Sequence, residues 1–210
     1  MTTIHYPFLS PILTVGRLYF SQSLQTNVLL PLPVIFIVYD FFYTVMHWAL
    51  HIKAVYGLIH KHHHQQKAPS RANIDAVNVH PIEFLLGEYN HLLAVALVCQ
   101  LLHMQVHFVC VILFLAVGGS LASLNHTRFD VSFRLFGLSW YDSKSHDVHH
   151  RMPQCNYGQY IMLWDHFFGT YRPYLSEDRI NPMAQLDEKT GKSRRYLEQL
   201  ENRQGLQKLD

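Results

Sequence analysis

The sequence predicts an all-α membrane protein with about three to four embedded helices. A cytosolic, helical, histidine-rich cap would hold a dinuclear metal site. Three observations predict it. Charged residues occupy 15% of the 210 positions and apolar residues 49%, against a usual charged share of about 25%. From Tyr89 through Thr127 there is no formal charge at all. Histidine is over-represented, with 16 copies gathered largely into short clusters. The formal net charge of +2 offers little pull on a phosphate backbone, so nucleic-acid binding is a poor reading. Cys99, Cys110 and Cys155 have no CxxC spacing, which supports neither a disulfide framework nor a zinc ribbon.

The embedded segments follow in order. The first residues lack a basic region and a small-residue cleavage site, so they do not read as a secretory signal. Phe8 to Phe20 is apolar but short and carries Pro11, Gly16 and Arg17; it reads as an interfacial or partial segment. Val28 to Leu50 is long enough to cross a hydrocarbon layer of ~30 Å, and its only charge is Asp40. A polar stretch from His51 to His80 follows. The block Ile82 to Leu124 is long enough for a helical hairpin, with a tight turn near His103 to His107. Lys53, Lys61, Lys67 and Arg71 lie between the two apolar blocks, and further Lys and Arg residues follow Asn125, whereas the expected turn has none. Positive-inside counting therefore puts both polar regions on the cytosolic face. A hairpin returns the chain to the side it left, so clusters far apart in sequence can meet at one surface. From Ser176 the chain mixes acidic and basic residues and reads as a solvated helix or loose tail. The expected division is 1–175 for the membrane domain and 176–210 for the hydrophilic tail.

Three histidine clusters carry the chemistry. His47 and His51 are four residues apart, which puts both rings on one helical face. His60, His63 and His64 form H-x-x-H-H, and His146, His149 and His150 repeat it. Imidazole suits zinc, copper, iron and nickel. Eight such rings exceed what one ion accepts, so the count suggests two ions. A lone buried histidine is more often a hydrogen-bonded structural residue, but repeated ligand spacing in three clusters argues against that here.

The clusters in this order, around a membrane hairpin, resemble the fatty acid hydroxylase/sterol desaturase superfamily of membrane oxygenases. The resemblance extends to Asp40-Phe-Phe-Tyr43 before the first cluster and to His80-Pro-Ile-Glu83 at the hairpin entry. It includes His126-Thr-Arg-Phe-Asp130, which is similar to the methylsterol oxidase branch, and the closing Asn156-Tyr-Gly158 and Trp164-Asp165…Gly169-Thr170. It implies that His47, His51, His60, His63, His64, His126, His146, His149 and His150 ligate two iron ions. Asp130 stands where some relatives carry histidine, and either ligates or orients a ligand ring; Asp147 carries the same ambiguity. His80 beside Pro81 reads as a helix start or an orienting group rather than a ligand, with Glu83 in the first turn, where the dipole favours a carboxylate. His62 falls outside the pattern. Trp48 departs from it, since relatives commonly carry Arg there. His5, His91, His103, His107 and His166 match no ligand position and read as structural. Trp140, Tyr141, Trp164 and Tyr171 read as interface anchors, with Trp164 to Thr170 closing over the histidine bundle.

The resemblance further implies O2-dependent hydroxylation or successive oxidation of a lipid C–H bond, on a sterol or a fatty-acyl or sphingoid chain, with desaturation as the alternative. Electrons would come from cytochrome b5 or a similar carrier, with NAD(P)H upstream, at the endoplasmic reticulum membrane. Two readings from other classes compete. A His-rich metal transporter would place ligands near the midplane of its spans, and an inactive scaffold relative would have lost a ligand.

Overall fold

The structure is a computed structural model, and it describes residues 25–175 together with Asp178. His5, the Phe8 to Phe20 segment and nearly all of the 176–210 tail lie outside the described residues. Three helices are long and apolar enough to cross a membrane, over Thr26–Leu50, Pro81–Gln100 and Phe108–Asn125, and the chain is an integral membrane protein.

After a wide turn at Gln25–Leu29, α1 runs over Pro31–Leu50. Prolines at its start suit positions whose amide N–H has no helical partner. Two short helices, α2 (Lys53–Tyr56) and α3 (Asn73–Ala76), flank a 3-10 turn at His60–Gln65. The long apolar block is the expected hairpin: α4 spans Pro81–Gln100 and α5 spans Phe108–Asn125. His80 begins α4, its ring accepting from the Ile82 amide at 3.2 Å. His107 does the same for α5 by accepting from Val109. Between them the chain reverses through Leu101 to His107, where His103 takes a φ of 51°. The backbone amide of His107 donates to Asn27 O, which ties this turn to the start of α1.

A feature absent from the sequence reading follows α5. Ser132–Leu135 (β1) and Leu138–Asp142 (β2) form an antiparallel hairpin, and its last residue, Asp142, caps α6 (Ser143–Arg151) by accepting from the Lys144 amide. The last helix, α7, spans Leu163–Phe168 and ends at Gly169 in the left-handed region, φ 71°.

The core lies between the three long helices. Ile35 and Tyr39 of α1 pack with Ala94, Val95 and Val98 of α4 and with Cys110 and Phe114 of α5. Tyr160 enters this core from the far end of the chain, its ring 4.9 Å from Tyr39 and 5.4 Å from Phe36. A Cβ at Gly118 would stand 2.9 Å from the Tyr160 hydroxyl, so glycine lets this ring in. The outer faces of α4 and α5 carry exposed Leu85, Leu92, Ile112, Leu113 and Val117, as lipid contact requires.

The segment after Tyr157, whose ring lies 5.5 Å from His51 and 5.6 Å from His149, leaves the histidine cluster. It runs down beside α1: Asp40 accepts from the amides of Gln159 and Tyr160 at 3.0–3.1 Å, and from that of Ile161. Farther down, Trp164 Nε1 donates to Ile37 O at 2.8 Å. Ile37 is ten residues before His47, about 15 Å along the helix. Trp164 thus packs on α1. Asp165 and Thr170 bond the backbone of residues 156–158 beside the histidines, and this part of the segment meets the expectation of packing against the histidine bundle. A carboxylate in an apolar span needs several donors, and Asp40 finds them only in this segment. Of the expected interface aromatics, Tyr141 is buried, with its hydroxyl on Leu121 O, and Tyr171 stacks on His166 at 4.0 Å.

Candidate metal centre

Nine imidazoles converge where the C-terminal ends of α1 and α5 and the N-terminal end of α4 meet the cap. Their ring nitrogens fall into two groups, with all donor atoms of a group within 4.8 Å of one another. His47, His51, His60, His64 and His149 make one, and His63, His126, His146 and His150 make the other. These are the nine positions named from the sequence. The two groups adjoin, with the rings of His64 and His150 4.8 Å apart.

Local backbone geometry decides the division. In both H-x-x-H-H clusters the first and last histidines stay together while the middle one crosses to the other group: His60 and His64 against His63, and His146 and His150 against His149. The tight turn at His60–Gln65 and the helix α6 each direct the middle histidine toward the neighbouring group, so each cluster serves both.

The Nδ1 atoms fix the tautomers. His47 Nδ1–H donates to Tyr157 O at 2.8 Å, His149 to Cys155 O at 2.6 Å and His126 to Ala122 O at 2.8 Å. His60 Nδ1 lies 2.7 Å from a Glu83 carboxyl oxygen. Each carbonyl takes only a protonated nitrogen, so Nε2 of His47, His149 and His126 carries a bare lone pair. The donor atoms of His47 and His149 belong to one group and lie within 4.8 Å of each other, and His47 Nε2 also lies 3.0 Å from His60 Nε2. Buried lone pairs turned toward one another repel unless a proton or a cation lies between them. A proton is disfavoured, because burial and neighbouring imidazoles hold the pKa values of His60, His63, His146, His149 and His150 below the ordinary histidine value. The residues therefore fit a metal cation. Five further pairs, His51–His149, His64–His60, His149–His64, His146–His126 and His150–His146, have Nε2 separations of 3.0–3.1 Å.

The other polar residues hold these rings. Asp165 accepts from the amides of Tyr157 and Gly158, both at 2.8 Å. With Asp40 it clamps the strand whose Tyr157 carbonyl aims His47. A Cβ at Gly158 would meet Ile161 O at 2.7 Å and the Asp165 carboxylate at 2.8 Å, so this clamp needs glycine. Asn156, at φ 57°, donates to Ser145 O and Arg172 O, fastening the same strand to α6. The sequence reading gave Glu83 to the helix dipole, and the fold turns it onto His60. Asp40 carried a signal of its own as a lone carboxylate in an apolar span, but its partners are about 120 residues away.

Four further candidates stand outside both groups. Asp130 is exposed and pairs with Lys144 at 2.5 Å; it touches no histidine of the cluster. Asp147 is buried but is taken by Arg128 and Arg151 at 3.2 and 2.9 Å. His80 serves as a helix cap, and the exposed ring of His62 bonds Asn78 Oδ1 at 3.0 Å. His91 sits in the core, with Nε2 3.2 Å from the Tyr160 hydroxyl.

Two cavities approach the centre. One, of about 270 Å³, is lined by Trp48, His51, Ile52, Pro153, Gln154 and Tyr157. His51 is the only incompletely buried member of the nine, so this opening reaches a metal donor directly. Trp48, the departure from the expected Arg, stands at its mouth. The other, of about 400 Å³, lies among α1, α3, α4 and α5 and meets the centre through Glu83, Tyr43 and Ala122, which contact His60, His47 and His126.

The metal-free protein should lose stability in acid. Burial lowers the pKa of His64 to about 4 and that of His51 to about 3. The unfolded chain binds protons near pH 6.5, so the penalty is absent above that pH. It grows as pH falls toward 4 and 3, where the folded state begins to protonate as well. The thermal midpoint of metal-free protein in detergent should be lower at about pH 5 than at about pH 7.5. An unchanged or higher midpoint at the acidic pH would mean that these rings are not held neutral.

Fold and site together define a membrane protein whose nine clustered imidazoles are positioned to hold metal. The sequence model of the fatty acid hydroxylase family matches residues 32–170, and the chain belongs to that family. The chain is 29% identical over 135 residues to a Delta(7)-sterol-C5(6)-desaturase of Nicotiana tabacum, covering 63% of this chain and 46% of the relative. It is 28% identical over 136 residues to methylsterol monooxygenase 1 of Rattus norvegicus, covering 64% and 44%. To cholesterol 25-hydroxylase of the same species it is 29% identical over 122 residues, covering 56% and 38%. The chain thus spans less than half the length of these relatives. No solved structure matches it.

Proposed function

We propose that the chain is an integral-membrane, non-haem di-iron oxygenase that hydroxylates or successively oxidises a C–H bond of a sterol-like lipid. The observation that carries this reading is the facing of bare imidazole nitrogens in two adjoining groups. The nine histidines would hold two iron ions, five on one and four on the other. The iron pair supplies the chemistry of activating O2 and taking hydrogen from an unactivated carbon. In hydroxylation one oxygen atom enters the product and the other leaves as water, with two electrons and two protons drawn from an external carrier such as cytochrome b5, fed by NAD(P)H.

The chain's own residues orient and exclude. Tyr157, Cys155 and Ala122 carbonyls fix the tautomers of His47, His149 and His126, and the Glu83 carboxyl group orients His60. Burial of eight of the nine rings keeps bulk water away, leaving approach along His51 between Trp48 and Tyr157. The placement of the centre at the ends of three spans suits a substrate whose body stays in lipid. The names of the relatives favour a sterol, and one of them, a desaturase, keeps desaturation as the alternative outcome. Positive-inside counting supports a cytosolic centre, and the endoplasmic reticulum suits sterol chemistry.

The test is metal analysis of the purified protein, followed by lipid profiling of cells with and without the chain. The expected results are about two irons per chain, O2 consumption with an added electron carrier, and a lipid that gains an oxygen atom or loses two hydrogens. Iron-replete protein that consumes no O2, or that moves metal ions across vesicles, would overturn the reading. Zinc alone would not decide, since heterologous expression can mis-metallate imidazole sites.

A further inference from the structure

We infer that the β1–β2 hairpin is an interfacial anchor, inserting Phe136 at its tip into the headgroup–acyl boundary of the cytosolic leaflet. Phe129, Val131, Phe133, Leu135, Phe136 and Leu138 are all exposed, and Phe136 is 89% so. Between Val131 and Trp140 the only charge is Arg134. An apolar surface of this kind on a two-stranded ribbon marks a contact with something outside the chain.

The tip supplies a second, independent observation. Phe136 and Gly137 both have positive φ, 51° and 78°. A two-residue reversal of this type matches strand twist but is normally built from Asn, Asp or Gly. Phenylalanine there is strained by roughly 1 kcal/mol or more. An aromatic ring held in strained backbone with almost no protein contact gains nothing from the fold, so its gain must come from outside.

Position names the occupant. Tyr141 of β2 donates its hydroxyl to Leu121 O, one turn inside the C-terminal end of α5. The Trp140 carbonyl accepts from the Met162 amide at 2.9 Å, two residues from the indole that bonds Ile37 O in α1. β2 is therefore fastened beside the last turn of α5 and the segment that packs on α1, which sets the ribbon at the end of the spans. The free edge of β1 could not sit in the hydrocarbon core, where unpaired backbone groups are costly. At about 5–10 Å depth that edge stays hydrated while the phenyl ring reaches acyl chains and Arg134 reaches lipid phosphate. The partner is thus the phosphatidylcholine-type bilayer surface itself.

The experiment places the photo-crosslinker p-benzoylphenylalanine at position 136 in the full chain reconstituted in phosphatidylcholine vesicles. The same probe at Ile112, exposed on the α5 span, gives the lipid reference, and at His62, exposed on the cap, the aqueous reference. A phospholipid adduct at position 136, in yield within about two-fold of that at 112 and absent at 62, is the expected result. No adduct at 136, or adducts only to a second copy of the chain or to another protein, would overturn the assignment. The readout does not involve metal or turnover, so it stands apart from the oxygenase proposal.

Discussion

Replacing His149 with alanine should remove oxidation by about 100-fold or more and lower bound iron from about two per chain to about one or fewer. Loss of a group that merely orients a ligand already costs 10–100-fold, so loss of a donor sets a higher floor. His149 is the severe case because its Nε2 lies 3.1 Å from both His51 and His64, its ring is fully buried, and its Nδ1 is spent on Cys155 O. Truncation opens the centre of the five-histidine group and strands a buried carbonyl. His63→Ala should act similarly on the four-histidine group. His62→Ala should leave iron content and turnover unchanged, since that ring points to Asn78 at the surface. Iron analysis and product quantification, with carbonate extraction to confirm membrane insertion, check all three. Full iron and full turnover in His149→Ala would remove it from the site.

The second large effect is expected at a residue that touches no metal donor. Asp40→Ala leaves the amides of Gln159, Tyr160 and Ile161 without the carboxylate that now accepts from all three. Each unpaired buried amide costs about 1–3 kcal/mol, giving a total of about 3 kcal/mol or more. The same loss frees Tyr157, two residues earlier, whose carbonyl holds His47. The variant should therefore unfold at lower temperature and retain less iron. Asp40→Asn keeps the shape but turns an amide group toward N–H donors, so it should recover only part of the stability. Wild-type stability with reduced iron would show that the carboxylate acts on the centre rather than on the strand.

The sequence alone settled which groups are present and roughly where they stand along the chain. Three apolar stretches of spanning length and eight imidazoles at helical ligand spacing are local patterns, each visible within a few turns of chain. His126 stands alone and is named only through the family resemblance. The return of α5 to the side that α4 left follows from length and charge placement, so the meeting of the clusters was legible as well. What local spacing does not encode is which long-range neighbour a side chain meets. Whether His63 joins His60 or crosses to His126 depends on the tight turn at His60–Gln65 and on how α6 is pinned by Asp142 and Asn156. Asp130 and Asp147 look equivalent on paper, yet Arg128, Lys144 and Arg151 claim them in the fold. The β1–β2 hairpin escapes the sequence reading because its strands are only four and five residues long, although Val131 to Leu135 alternates apolar and polar residues. The pairing of Asp40 with residues 159–161 belongs to tertiary structure. A buried carboxylate demands donors by its charge, but only the packed chain decides which backbone amides arrive.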